Sequence, residues 1–273
     1  MIVDGRALAG EVLARTKERA AKLMRKPRVL VIVANDTPAT KSYLAIKKKR
    51  AEDAGCTLEE LHFDAHTATT EDLRTAVLTA DADAVVVQLP LAERMDTRIV
   101  CDSISVGKDA DVLSTVARAK FEAGEYDALT PPVALSLAKI CEKYGVAVKG
   151  KRAVVAGAGW LVGNPCATWL SHRGADVAHL TSRSGTIEIL SDADIVVSGA
   201  GSPHFIKPEM LKDGAVLIDA GTSESNGELA GDADPACAGK CSLFTPVPGG
   251  VGPVAVACLF ENVVTLAERS VRV

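Results

Sequence analysis

The chain has 273 residues, 48% of them apolar and only 4% aromatic, which suits one large or two modest α/β domains with an aliphatic core and excludes a disordered or fibrous protein. Its net charge of −4 offers no electrostatic footprint for nucleic acid or an anionic membrane surface. Seven scattered cysteines and five dispersed histidines form no ligand-spaced cluster, so reduced, mostly buried thiols and no metal are expected.

Apolar residues at helical spacing (Leu8, Val12, Leu13, Ala20, Leu23) predict an amphipathic helix over 5–25, ended by Pro27. No basic segment followed by an apolar one opens the chain, and no apolar run approaches about 18 residues, so a soluble, cytoplasmic protein is expected. Residues 29–34 are a short aliphatic run of the kind covered on both faces of a sheet. Asn35-Asp36-Thr37-Pro38 then turns the chain into a helix over 39–54. A strand at 56–63, a helix at 71–79 and a strand at 83–90 follow, an alternation that predicts βαβ units and a parallel sheet. Residues 104–132 carry little apolar periodicity and include the expected change of domain. Beyond them, a helix at 133–144, a strand at 151–156, a helix to 173, and strands at 176–180, 194–198 and 215–219 make a second βαβ series.

Between strand and helix in that series stands Gly157-Ala158-Gly159-Trp160-Leu161-Val162-Gly163, a GxGxxxG turn. Two glycines closing a strand and a third opening a helix suit a dinucleotide, whose pyrophosphate faces the helix N–H groups; a plain strand–helix turn uses the same residues. Glycines after later strands (Gly199, Gly201, Gly221) would line the same ligand crevice. The next strand ends in Thr181-Ser182-Arg183-Ser184, with no acid to hold ribose hydroxyls. Hydroxyls and a cation favour the 2′-phosphate of NADP, with NAD still open; an exposed loop arginine is the alternative for Arg183.

On the helix after Pro38, Tyr43 and Lys47 share a face at i, i+4, although Lys47-Lys48-Lys49-Arg50 by itself reads as a solvated basic face. Gln88 places an amide at the end of a strand, and Asp109 and Asp111 are loop acids. Residues 244–253 hold three prolines and three glycines, a rigid loop that also suits a linker into a last helix; an X-Pro bond there is a candidate for cis.

Taken in order, Tyr43 with Lys47 and Lys49, Gln88-Leu89-Pro90-Leu91, Lys108-Asp109-Ala110-Asp111, Thr130-Pro131, the glycine turn to Pro165, Gly231-Asp232 and the loop Thr245 to Pro253 resemble the bifunctional methylenetetrahydrofolate dehydrogenase/methenyltetrahydrofolate cyclohydrolase family over nearly the whole chain. The resemblance implies an α/β fold of two domains around a cleft, the second a Rossmann-type doubly wound parallel sheet. It places a folate-binding catalytic domain at 1–120, with a last helix near 254–273 packing back on it, and an NAD(P)-binding domain at 121–253. It implies oxidation of 5,10-methylenetetrahydrofolate with NADP, hydrolysis of the methenyl product, and a homodimer formed through the cofactor domain.

By family position Lys47 is the general acid/base, Gln88 orients it or the water, Tyr43 packs on the pterin and Asp111 binds the pterin's polar edge. Leu89, Pro90, Pro248, Gly249 and Gly250 complete the expected substrate contacts. Gly157, Ala158, Gly159, Gly163, Ser182, Arg183, Gly201 and Thr222 are the expected cofactor contacts. Three departures stand out. Val112 replaces a glycine common after the aspartate and predicts a differently shaped loop, because valine resists positive φ. Ala158-Gly159 lacks a hydroxyl and, relative to some members, an arginine; Thr222 replaces an apolar residue. A monofunctional dehydrogenase, or a non-enzymatic folate- or nucleotide-binding protein on the same fold, is the competing reading.

Overall fold

The computed structural model describes residues 1–225 and 228–270. The chain divides into two units, one of Met1–Ala9 with Val133–Ala255, the other of Gly10–Pro132 with the chain from Val256 onward.

Helix α1 (Gly5–Ala20), whose residues from Gly10 onward belong to the second of these, stops short of the predicted residue 25. Its end tightens through i→i+3 bonds, Lys22 N–H to Arg19 O and Leu23 N–H to Ala20 O. A buried carboxylate then draws the following segment away: Arg25 grips Asp83 through two bonds of 2.6 and 2.8 Å, and the Arg28 amide donates to Asp83 at 2.8 Å. The predicted alternation follows as β1 (Arg28–Val33), α2 (Pro38–Asp53), β2 (Thr57–His62), α3 (Thr70–Leu78) and β3 (Ala84–Val87). The strands pair in parallel in the order β2-β1-β3. Strand β1 sits in the middle with four of its six residues buried and two half-buried, whereas edge strand β2 shows mostly exposed side chains.

Helix α4 (Thr97–Asp102) precedes the stretch without periodicity, and α5 (Thr115–Ala123) lies within it. Helix α5 is made by its ends: Ser114 Oγ accepts from the Ala117 amide, and Gly124 closes the helix at φ 69°. It buries only Ala117, Arg118 and Phe121, too few for a periodic signal.

In the other unit, α6 (Pro132–Tyr144) leads into β4 (Arg152–Ala156), α7 (Gly163–His172), β5 (Asp176–Leu180), β6 (Ile195–Ser198) and β7 (Val216–Asp219). A short antiparallel pair, β8 (Ser223–Ser225) and β9 (Glu228–Ala230), precedes the two-residue β10 (Leu243–Phe244). The main sheet is all parallel in the order β10-β7-β6-β4-β5. The chain start extends it beside β10, with Val3 N–H to Phe244 O and Phe244 N–H to Met1 O, both 2.9 Å. Strands β4, β6 and β7 are buried aliphatic runs, as a sheet covered on both faces requires.

The last helix, α8 (Val251–Ser270), begins three residues before the predicted 254; residues 271–273 lie outside the described ones. By length and composition α8 could cross a membrane, but 61% of its apolar window is buried within the fold. All seven cysteines are free and buried, and burial pushes the Cys56 and Cys141 thiols up to about 12.

Candidate active site and cofactor cradle

In both parallel sheets the strand order reverses at one point: β1 is followed on one side by β2 and on the other by β3, and β4 stands likewise between β5 and β6. Loops leaving the carboxyl ends of such strand pairs diverge and open a crevice, the usual place for a ligand in an open α/β sheet.

At the first of these points Thr37 caps α2 by accepting from the Thr40 amide, and Pro38 takes the first helical position, where a missing N–H costs nothing. Gln88 leaves β3 with its amide still bonded to Ile32 O, and its side chain is almost fully buried. The side-chain NH2 donates to Leu89 O at 2.7 Å, which turns Oε1 toward the Lys47 ammonium 2.8 Å away. Burial lowers the Lys47 pKa, while the charge of Asp111 raises it. Asp111 responds in mirror image: burial raises its pKa and Lys47 lowers it. Each group is thus pushed toward neutrality by desolvation and held toward charge by the other. Lys47 and Asp111 retain partial solvent exposure. Tyr43, one turn before Lys47, is 41% exposed. The predicted quartet therefore belongs to one unit, with Lys47, Gln88 and Asp111 coupled and Tyr43 open to solvent.

The Asp111 loop departs from expectation. Val112 does adopt the left-handed conformation, at φ 55°, and is buried. Tertiary contacts overrule the local cost of a β-branched residue there. Asp109 receives the Leu113 and Ser114 amides at 2.9 and 2.8 Å, and Asn262 of α8 donates to Ala110 O at 2.9 Å and Thr130 O at 3.0 Å. These bonds pin the chain on both sides of Asp111. Sequence reasoning missed Asn262; a lone buried amide on an aliphatic helix was the available signal.

At the second reversal point, glycine is required by packing at three places. A Cβ at Gly157 would lie 2.7 Å from Gly199 O, at Gly163 2.2 Å from Gly157 O, and at Gly199 2.3 Å from Val162 Cγ1. Gly159 and Gly201 meet nothing within 4 Å, so the chain's own packing does not demand glycine there, although Gly201 has φ 70°. The positive φ accounts for Gly201, and Gly159 leaves open space on its Cβ side. No side chain caps α7, but the Asn164 amide already bonds Gly159 O at 3.1 Å and Pro165 has no N–H, so the first turn offers an anion only the Gly163 amide. The Gly157 amide bonds Leu180 O at 2.8 Å, which brings the Thr181–Ser184 turn beside the glycine loop. Thr181 Oγ1 accepts from the Arg183 and Ser184 amides at 3.2 and 3.0 Å, while Ser182 and Arg183 stay exposed. Ala158 and Thr222 are exposed as well. The residues present thus fit a dinucleotide with a phosphate near Arg183.

In the loop 244–253, Val247–Pro248 is cis, as is Leu89–Pro90. Gly250 donates to Pro246 O at 2.7 Å, and a Cβ on it would fall 2.6 Å from that oxygen; Gly249 has φ 111°. Pro248 is exposed and Gly250 buried.

Comparison with known proteins identifies the family. Residues 3–111 match the catalytic domain of the tetrahydrofolate dehydrogenase/cyclohydrolase family, and residues 131–271 match its NAD(P)-binding domain. The chain belongs to that family. It is 37% identical to the bifunctional protein FolD of Lacticaseibacillus casei, over 98% of this chain and 97% of that one. FolD of Lactobacillus gasseri is 34% identical, with 98% of each chain covered. Among solved structures, the bifunctional FolD of Campylobacter jejuni superposes with a TM-score of 0.94 at 29% identity, covering 99% of both chains. The Trypanosoma brucei FolD, solved with NADP and an inhibitor, also gives 0.94, at 32% identity over 100% of this chain and 99% of that one.

Proposed function

We propose that the chain oxidises 5,10-methylenetetrahydrofolate to the methenyl form with NADP and hydrolyses that product to 10-formyltetrahydrofolate. The observation that carries the hydrolytic half is the Lys47–Gln88 bond of 2.8 Å at an ammonium whose pKa burial lowers. NADP, when bound, supplies the hydride acceptor. The methylene carbon lies between two nitrogens whose lone pairs expel the hydride, so the chain's part in oxidation is to position the rings. Tyr43, Leu89, Pro90, Pro248, Gly249 and Gly250 are assigned to the folate. Gly157, Ala158, Gly159, Gly163, Ser182, Arg183, Gly201 and Thr222 are assigned to the cofactor.

Hydrolysis adds a water oxygen to the amidinium carbon, breaks its bond to one ring nitrogen and releases one proton. Lys47 in its neutral form takes a proton from the water, which requires the lowered pKa. Gln88 Oε1 accepts one Nζ–H and so fixes where the remaining positions of Nζ point. Asp111 holds the pterin's polar edge and keeps Lys47 from losing its proton too readily. Val112 keeps the left-handed turn beside Asp111, so this departure gives no ground for a monofunctional dehydrogenase.

The protein is assigned to the cytoplasm as a homodimer through the unit that carries edge strand β5, with no nucleic-acid or membrane partner. Sedimentation at micromolar concentration tests the dimer. The activity is tested by following methenyl absorbance after mixing with methylenetetrahydrofolate and NADP, then NAD. Lys47→Met should leave a persistent methenyl signal with cofactor binding unchanged; undiminished hydrolysis would remove Lys47 from the role.

A further inference from the structure

Two buried carboxylates that this chemistry does not use lie at the ligand end of the five-stranded sheet. Asp232 accepts from Ser198 Oγ at 2.7 Å, the Ala200 amide at 2.7 Å and the Ser202 amide at 2.8 Å. Asp219 accepts from the amides of Gly221 at 2.9 Å, Asp232 at 3.2 Å and Ala233 at 2.8 Å. Its own amide donates to Thr245 Oγ1 at 2.6 Å, and its carbonyl accepts from that hydroxyl at 3.3 Å. The packing is reciprocal. A Cβ on Gly221 would fall 2.5 Å from Asp232 Cγ, and one on Gly231 would fall 2.2 Å from Asp219 Oδ2.

Such a pair is costly. Burial, with a contribution from the Asp232 charge, pushes the Asp219 carboxyl up to about 6. The cost is offset because the two carboxylates are the acceptors for five backbone amides, which apolar residues in the same space would leave unpaired. What they hold is informative: their bonds reach the loops after β6, β7 and, through Thr245, β10. Those three loops carry Gly201, Thr222 and the 246–250 segment. We infer that Asp219 and Asp232 are positioning residues that preform the cofactor-side loops without themselves contacting the ligand. The inference rests on the cofactor reading proposed above.

Asp232→Asn in the full chain is the test. The new NH2 must face the N–H of either Ala200 or Ser202, so one loop amide loses its acceptor. Amide exchange at 200 and 202, measured without cofactor, should speed up roughly tenfold or more. The KM for NADP should rise about tenfold, with kcat held within about threefold. Methenyl hydrolysis, which consumes no cofactor, should stay within about twofold of wild type. Faster exchange with an unchanged KM overturns the inference, as does a fall in kcat alone. Joint loss of both activities also overturns it, unless Ser198→Ala, which removes one neutral donor and keeps the carboxylate, raises the NADP KM while sparing hydrolysis. If the wild type itself fails to use NADP, the functional reading has failed; exchange at 200 and 202 then still decides whether the pair holds the loop.

Discussion

Two glycines on α1, five residues apart, should respond to alanine with opposite signs. At Gly5 a Cβ would lie 1.8 Å from Gly250 O and 2.5 Å from Gly249 O. Both are backbone atoms, so no side chain can swing aside, and the 246–250 loop must shift. Forced overpacking of this kind costs about 1–3 kcal/mol, from which the lower entropy of the unfolded alanine chain recovers about 0.4–1 kcal/mol. The net expectation is a loss of about 0–2.6 kcal/mol, centred near 1.3 kcal/mol. At Gly10, exposed in the middle of the same helix, a Cβ would meet nothing within 4 Å. There alanine should stabilise by about 0.5–1 kcal/mol through helix propensity alone. Thermal unfolding followed by circular dichroism reads the difference, at about 2–4 °C per kcal/mol for chains of this general size. The Gly5 variant should also lose dehydrogenase activity, because the displaced loop is the one assigned to the folate. A Gly5→Ala protein stabilised as Gly10→Ala is would refute the close approach of α1 to this loop.

Asp111→Asn removes the charge that raises the Lys47 pKa. Burial then acts unopposed and the lysine titrates lower still, so the acid limb of the hydrolysis pH–rate profile should move to lower pH; a shift upward would contradict the coupling. Arg183→Ala should weaken NADP by about 1–3 kcal/mol while changing NAD little, measured as the two KM values; equal losses would remove Arg183 from the 2′-phosphate. Gly250→Val places its Cβ 2.6 Å from Pro246 O and should abolish the dehydrogenase in a protein that still folds, judged by circular dichroism.

The alternation of short aliphatic runs with helical patterns was enough to place the β1-to-β3 and β4-to-β7 series, because buried parallel strands and amphipathic helices leave periodic traces. The glycine turn was equally legible: Gly157 and Gly163 sit where backbone meets backbone, and Gly199 lies against the Val162 side chain, so a Cβ fits at none of the three. Helix α5 and strand β10 were not legible, one set by its caps and the other only two residues long. Lys47 read locally as part of a solvated basic face, and only family position singled it out. Tertiary structure decided its chemistry, since desolvation and the Gln88 and Asp111 partners come from residues 41 and 64 positions away. Val112 shows the same division. Its side chain disfavours positive φ, yet the buried hydrogen bonds around Asp109 and Ala110 impose it. Local pattern determines which elements form, because propensity and periodicity act over a few residues. Burial, pKa and loop shape depend on groups distant in sequence, and those are settled only when the chain has folded.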